Sequence, residues 1–100
     1  MDFLVQIQVN LPPDTAPSRR DALVAAEAAR ARELAEQGFI YRLWRIPGRW
    51  SNVGIWRAAD ATALHEAICS LPMHPWLDVM VTALGRHPSD PGEATGRQAR

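Results

Sequence analysis

The stretch that decides the fold is FLVQIQVNL, residues 3–11. Phe3, Val5, Ile7, Val9 and Leu11 alternate with Gln6, Gln8 and Asn10 at the period of a β-strand with one face buried. Pro12-Pro13-Asp14 breaks this first strand. Pro17 or Ser18 can open the next element, and the alanine-rich run to Gln37 is helical by propensity until Gly38 stops it. Phe39–Ile46 and Trp50–Arg57 are rich in aromatic and branched residues and flank the turn signal Pro47-Gly48, which predicts a hairpin. Asp60 can cap a second helix with an Ala61, Leu64, Ile68, Leu71 stripe that ends before Pro72. Trp76–Leu84 then has the apolar density of a last strand. The order strand, helix, strand, strand, helix, strand (βαββαβ) predicts an α+β fold, a ferredoxin-like sandwich with both helices on one face of an antiparallel sheet.

Two helices cover only one face of such a sheet. By strand parity one face collects Val5, Ile7, Leu43, Val53, Ile55, Val79 and Val81, and the other collects Gln6, Gln8, Trp44, Trp50, Trp56, Trp76 and Met80. All four tryptophans then share the uncovered side, more aromatic surface than a soluble monomer usually exposes, which predicts a homodimer packed sheet to sheet. A ligand cavity on that face is the other way to shield them.

Composition narrows the function. At 100 residues and 47% hydrophobic the chain describes one domain with a modest core, over residues 1–88, followed by a flexible polar tail, 89–100. A net charge of zero without a basic run lacks the footprint of a nucleic-acid binder. The lone Cys69 allows neither an internal disulfide nor a paired metal site, suits a reducing compartment, and is expected to pack. No leader-like N-terminus and no spanning apolar stretch is visible, so a soluble, cytoplasmic protein that needs no membrane is expected.

One residue stands out within the first helix. Leu23, Glu27, Ala31 and Leu34 share a stripe, while Asp21, Ala28, Arg32 and Glu36 fall near the opposite side. A carboxylate on the core stripe loses hydration and its pKa rises toward neutrality, which makes Glu27 a candidate general base. The alternative is a structural glutamate that pairs with Arg30 or reaches the edge of the stripe.

Leu43-Trp44-Arg45-Ile46 with Gly48 and Asn52, the pair Leu64-His65, Leu71-Pro72 with Pro75 and Asp78, and Arg86-His87-Pro88 follow one another in an order that resembles the muconolactone Δ-isomerase family. Leu11-Pro12 and Glu27 fit the same pattern, so the resemblance spans residues 1 to about 90. It implies a dimeric α+β barrel, often assembled into a larger ring such as a decamer, and a cofactor-free, metal-free proton shift that turns a small unsaturated lactone with a carboxymethyl arm into an enol-lactone during aromatic breakdown. The chain departs from the family pattern at Val24, where members commonly carry lysine, at Tyr41 and Arg42, where basic residues including histidine are frequent, and at His74, where an aromatic is usual.

Such chemistry needs a base, donors for a dienolate oxygen and a cation for a carboxylate. Glu27 can carry the proton both ways. Tyr41, Leu43 and Arg45 share a parity, so Tyr41 could donate to the enolate and the planar fork of Arg45 could hold the carboxylate, with Trp44 beside it. His65 could donate or relay a proton, Asn52 offers an amide, and Arg20 or Arg30 could replace the missing lysine. Two further classes stay open: a cofactor-free oxygenase of the same architecture acting on an aromatic or polyketide-like substrate, and a non-catalytic oligomeric binding module.

Overall fold

A computed structural model describes residues 1–92. The elements are β1 (Asp2–Val9), α1 (Pro17–Glu36), β2 (Ile40–Arg45), β3 (Ser51–Arg57), α2 (Ala61–Cys69), a 3-10 turn (His74–Trp76) and β4 (Leu77–Leu84). The strands form one sheet in the order β2-β3-β1-β4 with every neighbouring pair antiparallel. Both sequence-predicted helices and all four predicted strands are present, with ends shifted by a residue or two. Part of the predicted 89–100 tail, residues 93–100, lies outside the described residues.

Local chemistry accounts for the boundaries. Pro17 stands in the first turn of α1, where its missing N–H costs nothing, while Ala16 supplies no side-chain cap. At the other end Gly38 has φ +90°, Phe39 N–H donates to Leu34 O at 2.8 Å and Gly38 N–H to Ala35 O at 3.1 Å, a closure that a left-handed residue permits. The Asp60 carboxylate accepts from Ala63 N–H at 2.8 Å and caps α2 as predicted.

The core lies between the sheet and both helices. Phe3, Val5, Ile7 and Trp56 from the sheet meet Leu34 of α1 and Leu64, Ala67 and Ile68 of α2. On α1 the less exposed positions include Leu23, Glu27, Ala31 and Leu34, the stripe expected from the sequence.

The strand pairing corrects the predicted faces. Phe3 opposes Trp56, Gln6 opposes Val53 and Leu4 opposes Ile55. Directly opposed residues share a face, so Trp56 belongs to the core and Val53 and Ile55 to the outer surface, the reverse of the sequence reading. Trp56 is 1% exposed, Trp50 lines a cavity on the helix side and Trp76 sits in the 3-10 turn. The four tryptophans therefore do not share one uncovered face. The outer face is apolar for a different reason: Leu4, Val53, Ile55, Trp44 and Met80 lie on it, with Trp44 and Met80 exposed.

A candidate active site between the first helix and the sheet

Glu27 projects from the middle of α1 into a cavity of about 360 Å³ whose wall is completed by β1, β2, β3 and the segment after α2. Apolar side chains make up most of that wall, among them Ile7, Val9, Leu43, Leu71 and Met73. Apolar walls with few polar groups are the usual character of a small-molecule site. Glu27 Oε1 accepts a hydrogen bond from the backbone N–H of Met73 at 3.0 Å. Burial lifts its carboxyl above the ordinary value of 4.5, and the Met73 N–H and the charge of nearby His74 offset part of that rise. Such a group ionises closer to neutral pH and can take a proton and give it back.

Arg30 does not neutralise it. The Arg30 guanidinium donates instead to Ser70 Oγ at 3.0 Å and to Glu33 Oε2 at 3.2 Å. The structural alternative of a Glu27–Arg30 pair is thus not realised, and Glu27 takes no part in the ion pairs among the described residues. A second hollow, lined by Gln6, Gln8, Asp78 and Met80 among others, opens on the outer face.

The predicted site residues divide. Arg45 and Asn52, opposed across β2 and β3, line the cavity with Glu27, and Arg45 is the one cation among its described lining residues; Trp44 borders the cavity from β2 but opposes Val53, so its ring belongs to the outer face. Tyr41 does not join them. The register between β2 and β3 slips between Ile40 and Arg42, a bulge that opposes Ile40 to Trp56, and Ile40 takes the wall position that unbroken parity assigns to Tyr41. Tyr41 is 55% exposed and lies 3.6 Å under the Arg57 guanidinium. Arg20 stacks over Trp50, itself a wall residue, at 4.8 Å from the ring centroid, and so stands behind the wall rather than in it.

His65 also lies outside the cavity. Its Nε2 is 3.4 Å from Cys69 Sγ, and His74 Nε2 approaches the same sulfur at 3.5 Å. Cys69 is exposed, contrary to the packing role expected of it, because α2 turns that position away from the core. No group of three or more His, Cys, Asp or Glu residues is arranged to hold a metal ion among the described residues.

Met73, Trp50 and Trp56 join this wall without a signal in the sequence pattern. Met73 contributes a backbone N–H, which no side-chain pattern announces. Trp56 reaches the helix side because β3 pairs in a register that parity alone does not reveal.

The fold and site define a class: a small α+β protein with a lifted carboxylate, Glu27, facing a largely apolar, ring-sized cavity. Residues 1–90 match the family model described as muconolactone delta-isomerase. The chain is 38% identical over 89 residues to muconolactone Delta-isomerase 2 of Acinetobacter lwoffii, covering 89% of this chain and 93% of that protein. It is 36% identical over 88 residues to muconolactone Delta-isomerase of Rhodococcus opacus, covering 88% and 95%. A crystal structure of muconolactone isomerase superposes with a TM-score of 0.85 at 36% identity, over 91% of this chain and 95% of that one. The chain belongs to the muconolactone delta-isomerase family. No helix among the described residues is long and apolar enough to cross a membrane.

Proposed function

We propose that this protein is an isomerase that moves a proton, and with it a carbon–carbon double bond, within muconolactone or a closely related unsaturated lactone, and that Glu27 is its base. The observation that carries this reading is the placement of Glu27: half-buried, lifted in pKa, fixed by Met73 N–H and facing a largely apolar cavity. Family membership supports the substrate class.

On this reading the reaction is two proton transfers by one carboxyl group. Glu27 takes a proton from ring carbon, and the electrons of the broken C–H bond spread through the ring onto the carbonyl oxygen as a dienolate. The same carboxyl then returns the proton to a different ring carbon, so atoms and electrons balance without oxidant or reductant. Arg45 meets the carboxylate arm, since it is the cation of the wall and its fork of N–H groups donates to both carboxylate oxygens. Asn52 supplies an amide beside the ring. Val24 lines the cavity where the family resemblance leads one to expect lysine, which leaves Arg45 to bear the anion recognition.

The outer sheet face fits a second copy of the chain. Leu4, Val53, Ile55, Trp44 and Met80 form an apolar patch suited to sheet-to-sheet packing, the arrangement of a dimeric barrel that larger rings such as a decamer can use as a unit. Cys69 forms no disulfide, which suits work in the cytoplasm.

Incubation with muconolactone, following loss of the starting lactone, tests the activity, with Glu27→Gln as control. Rapid loss in the parent and a folded but nearly inactive variant supports the reading. Oxygen uptake with a phenolic substrate and no lactone turnover favours the oxygenase, and neither activity favours a binding module.

A further inference from the structure

Among the described residues two buried side-chain atoms have no hydrogen-bond partner, Asn52 Oδ1 and Trp56 Nε1, and both residues line the Glu27 cavity. They lie on the same face of β3, opposite Ile7 and Phe3, with Gly54 between them opposite Val5. An indole nitrogen can only donate. Native proteins satisfy nearly all buried donors, so an orphan N–H calls for an explanation. Packing accounts for the ring but not for its polar end, since a buried N–H gains nothing from apolar neighbours. Trp56 is 1% exposed, yet it stands in the wall of a cavity that is large enough for a small ring.

We propose that Trp56 contacts the substrate, its indole N–H donating to the lactone carbonyl oxygen, the atom on which negative charge gathers when Glu27 removes the ring proton. This rests on the isomerase reading. The carboxylate arm goes to Arg45, which is exposed, whereas Trp56 is set into the core, so the ring carbonyl is the oxygen that turns toward it. A neutral donor buried away from water strengthens its bond as the oxygen becomes anionic, so its effect appears in the transition state more than in binding. Gly54 contributes by absence of a side chain: a Cβ there would meet the Arg42 carbonyl and come within 2.9 Å of Leu43 Cδ1, crowding the strands that carry Asn52, Trp56 and Arg45.

Two measurements test the contact. For Trp56→Phe the expected result is a fall in kcat of about tenfold or more, with KM for muconolactone within about threefold of the parent. Because the substitution also reduces core packing, the unaltered protein is read as well. The indole N–H signals of its four tryptophans are assigned with single phenylalanine variants of Trp44, Trp50 and Trp76, and followed by nitrogen-15 NMR as (5-oxotetrahydrofuran-2-yl)acetate is added. This saturated lactone has the carbonyl and the arm but no ring double bond to move. A downfield shift of the Trp56 indole proton supports the proposal. An unmoved signal at saturating analogue overturns it, as does a folded Trp56→Phe protein with parental kcat. If the parent protein turns over muconolactone while the Trp56 signal stays still, this inference fails and the isomerase reading survives. A shifted Trp56 signal in a protein without turnover supports the contact and overturns the isomerase reading.

Discussion

The backbone N–H of Met73 donates to Glu27 Oε1 at 3.0 Å across 46 residues of sequence, joining the middle of α1 to the segment that follows α2. Burial raises the carboxyl pKa and this bond lowers it, so the proposed base is both tuned and held in place by the same neighbourhood. The bond engages one carboxylate oxygen, Oε1, of a residue that lines the cavity.

Glu27→Gln keeps an oxygen for Met73 N–H and removes the charge. Turnover is expected to drop by about 10²–10⁴-fold, the usual contribution of a positioned base. Thermal unfolding at neutral pH is expected at the same temperature or higher, because a half-buried charge is no longer desolvated. A large loss of melting temperature would instead mark Glu27 as a structural residue.

The direction of the Glu27 shift sets two pH dependences. Its acidic limb of kcat/KM is expected above 4.5, the ordinary value, since the base must be ionised. For stability, a raised carboxyl pKa means that the native state holds its proton more tightly than the unfolded chain. The contribution from Glu27 is therefore greatest below 4.5 and is lost as pH rises through the folded-state value. Titration of unfolding free energy in parent and Glu27→Gln should show a difference that grows between those two values and is flat above them.

Arg45→Ala is expected to raise KM by about tenfold or more, because a charge-assisted, forked contact to carboxylate contributes roughly 1.5–3 kcal/mol. Arg45→Lys should recover only part of this, as an ammonium cannot match both oxygens. Steady-state kinetics with muconolactone and with an analogue lacking the carboxylate separates the effect: the variants should differ from the parent on the first and far less on the second.

Gly54→Ala brings a methyl group against the Arg42 carbonyl and Leu43 Cδ1. Backbone cannot yield as a flexible side chain does, so a destabilisation of about 1–3 kcal/mol is expected in denaturant unfolding. Parental stability would show that β2 moves away from β3 at little cost.

Met80→Glu places a charge on the exposed apolar outer face, remote from the Glu27 cavity wall. Sedimentation should show the parent as a dimer or larger assembly and the variant shifted toward monomer. A monomeric parent would mean that this face has no second copy on it.

Sequence by itself determined the order of elements, the stop at Gly38, the cap at Asp60 and the stripe that aims Glu27 inward, because periodicity, propensity and capping act between residues close along the chain. Arg45 and Asn52 were legible for the same reason, as positions on strands beside a turn. Pairing register was not: the bulge between Ile40 and Arg42 moved Tyr41 out of the wall, and the opposition of Phe3 to Trp56 carried a tryptophan from the outer face into the core. Those outcomes depend on which residue of a neighbouring strand stands opposite, a choice made by packing across the sheet. Tertiary structure alone also brought Met73 to Glu27, since a backbone N–H is the same at every residue but proline, and only the folded chain decides where it points.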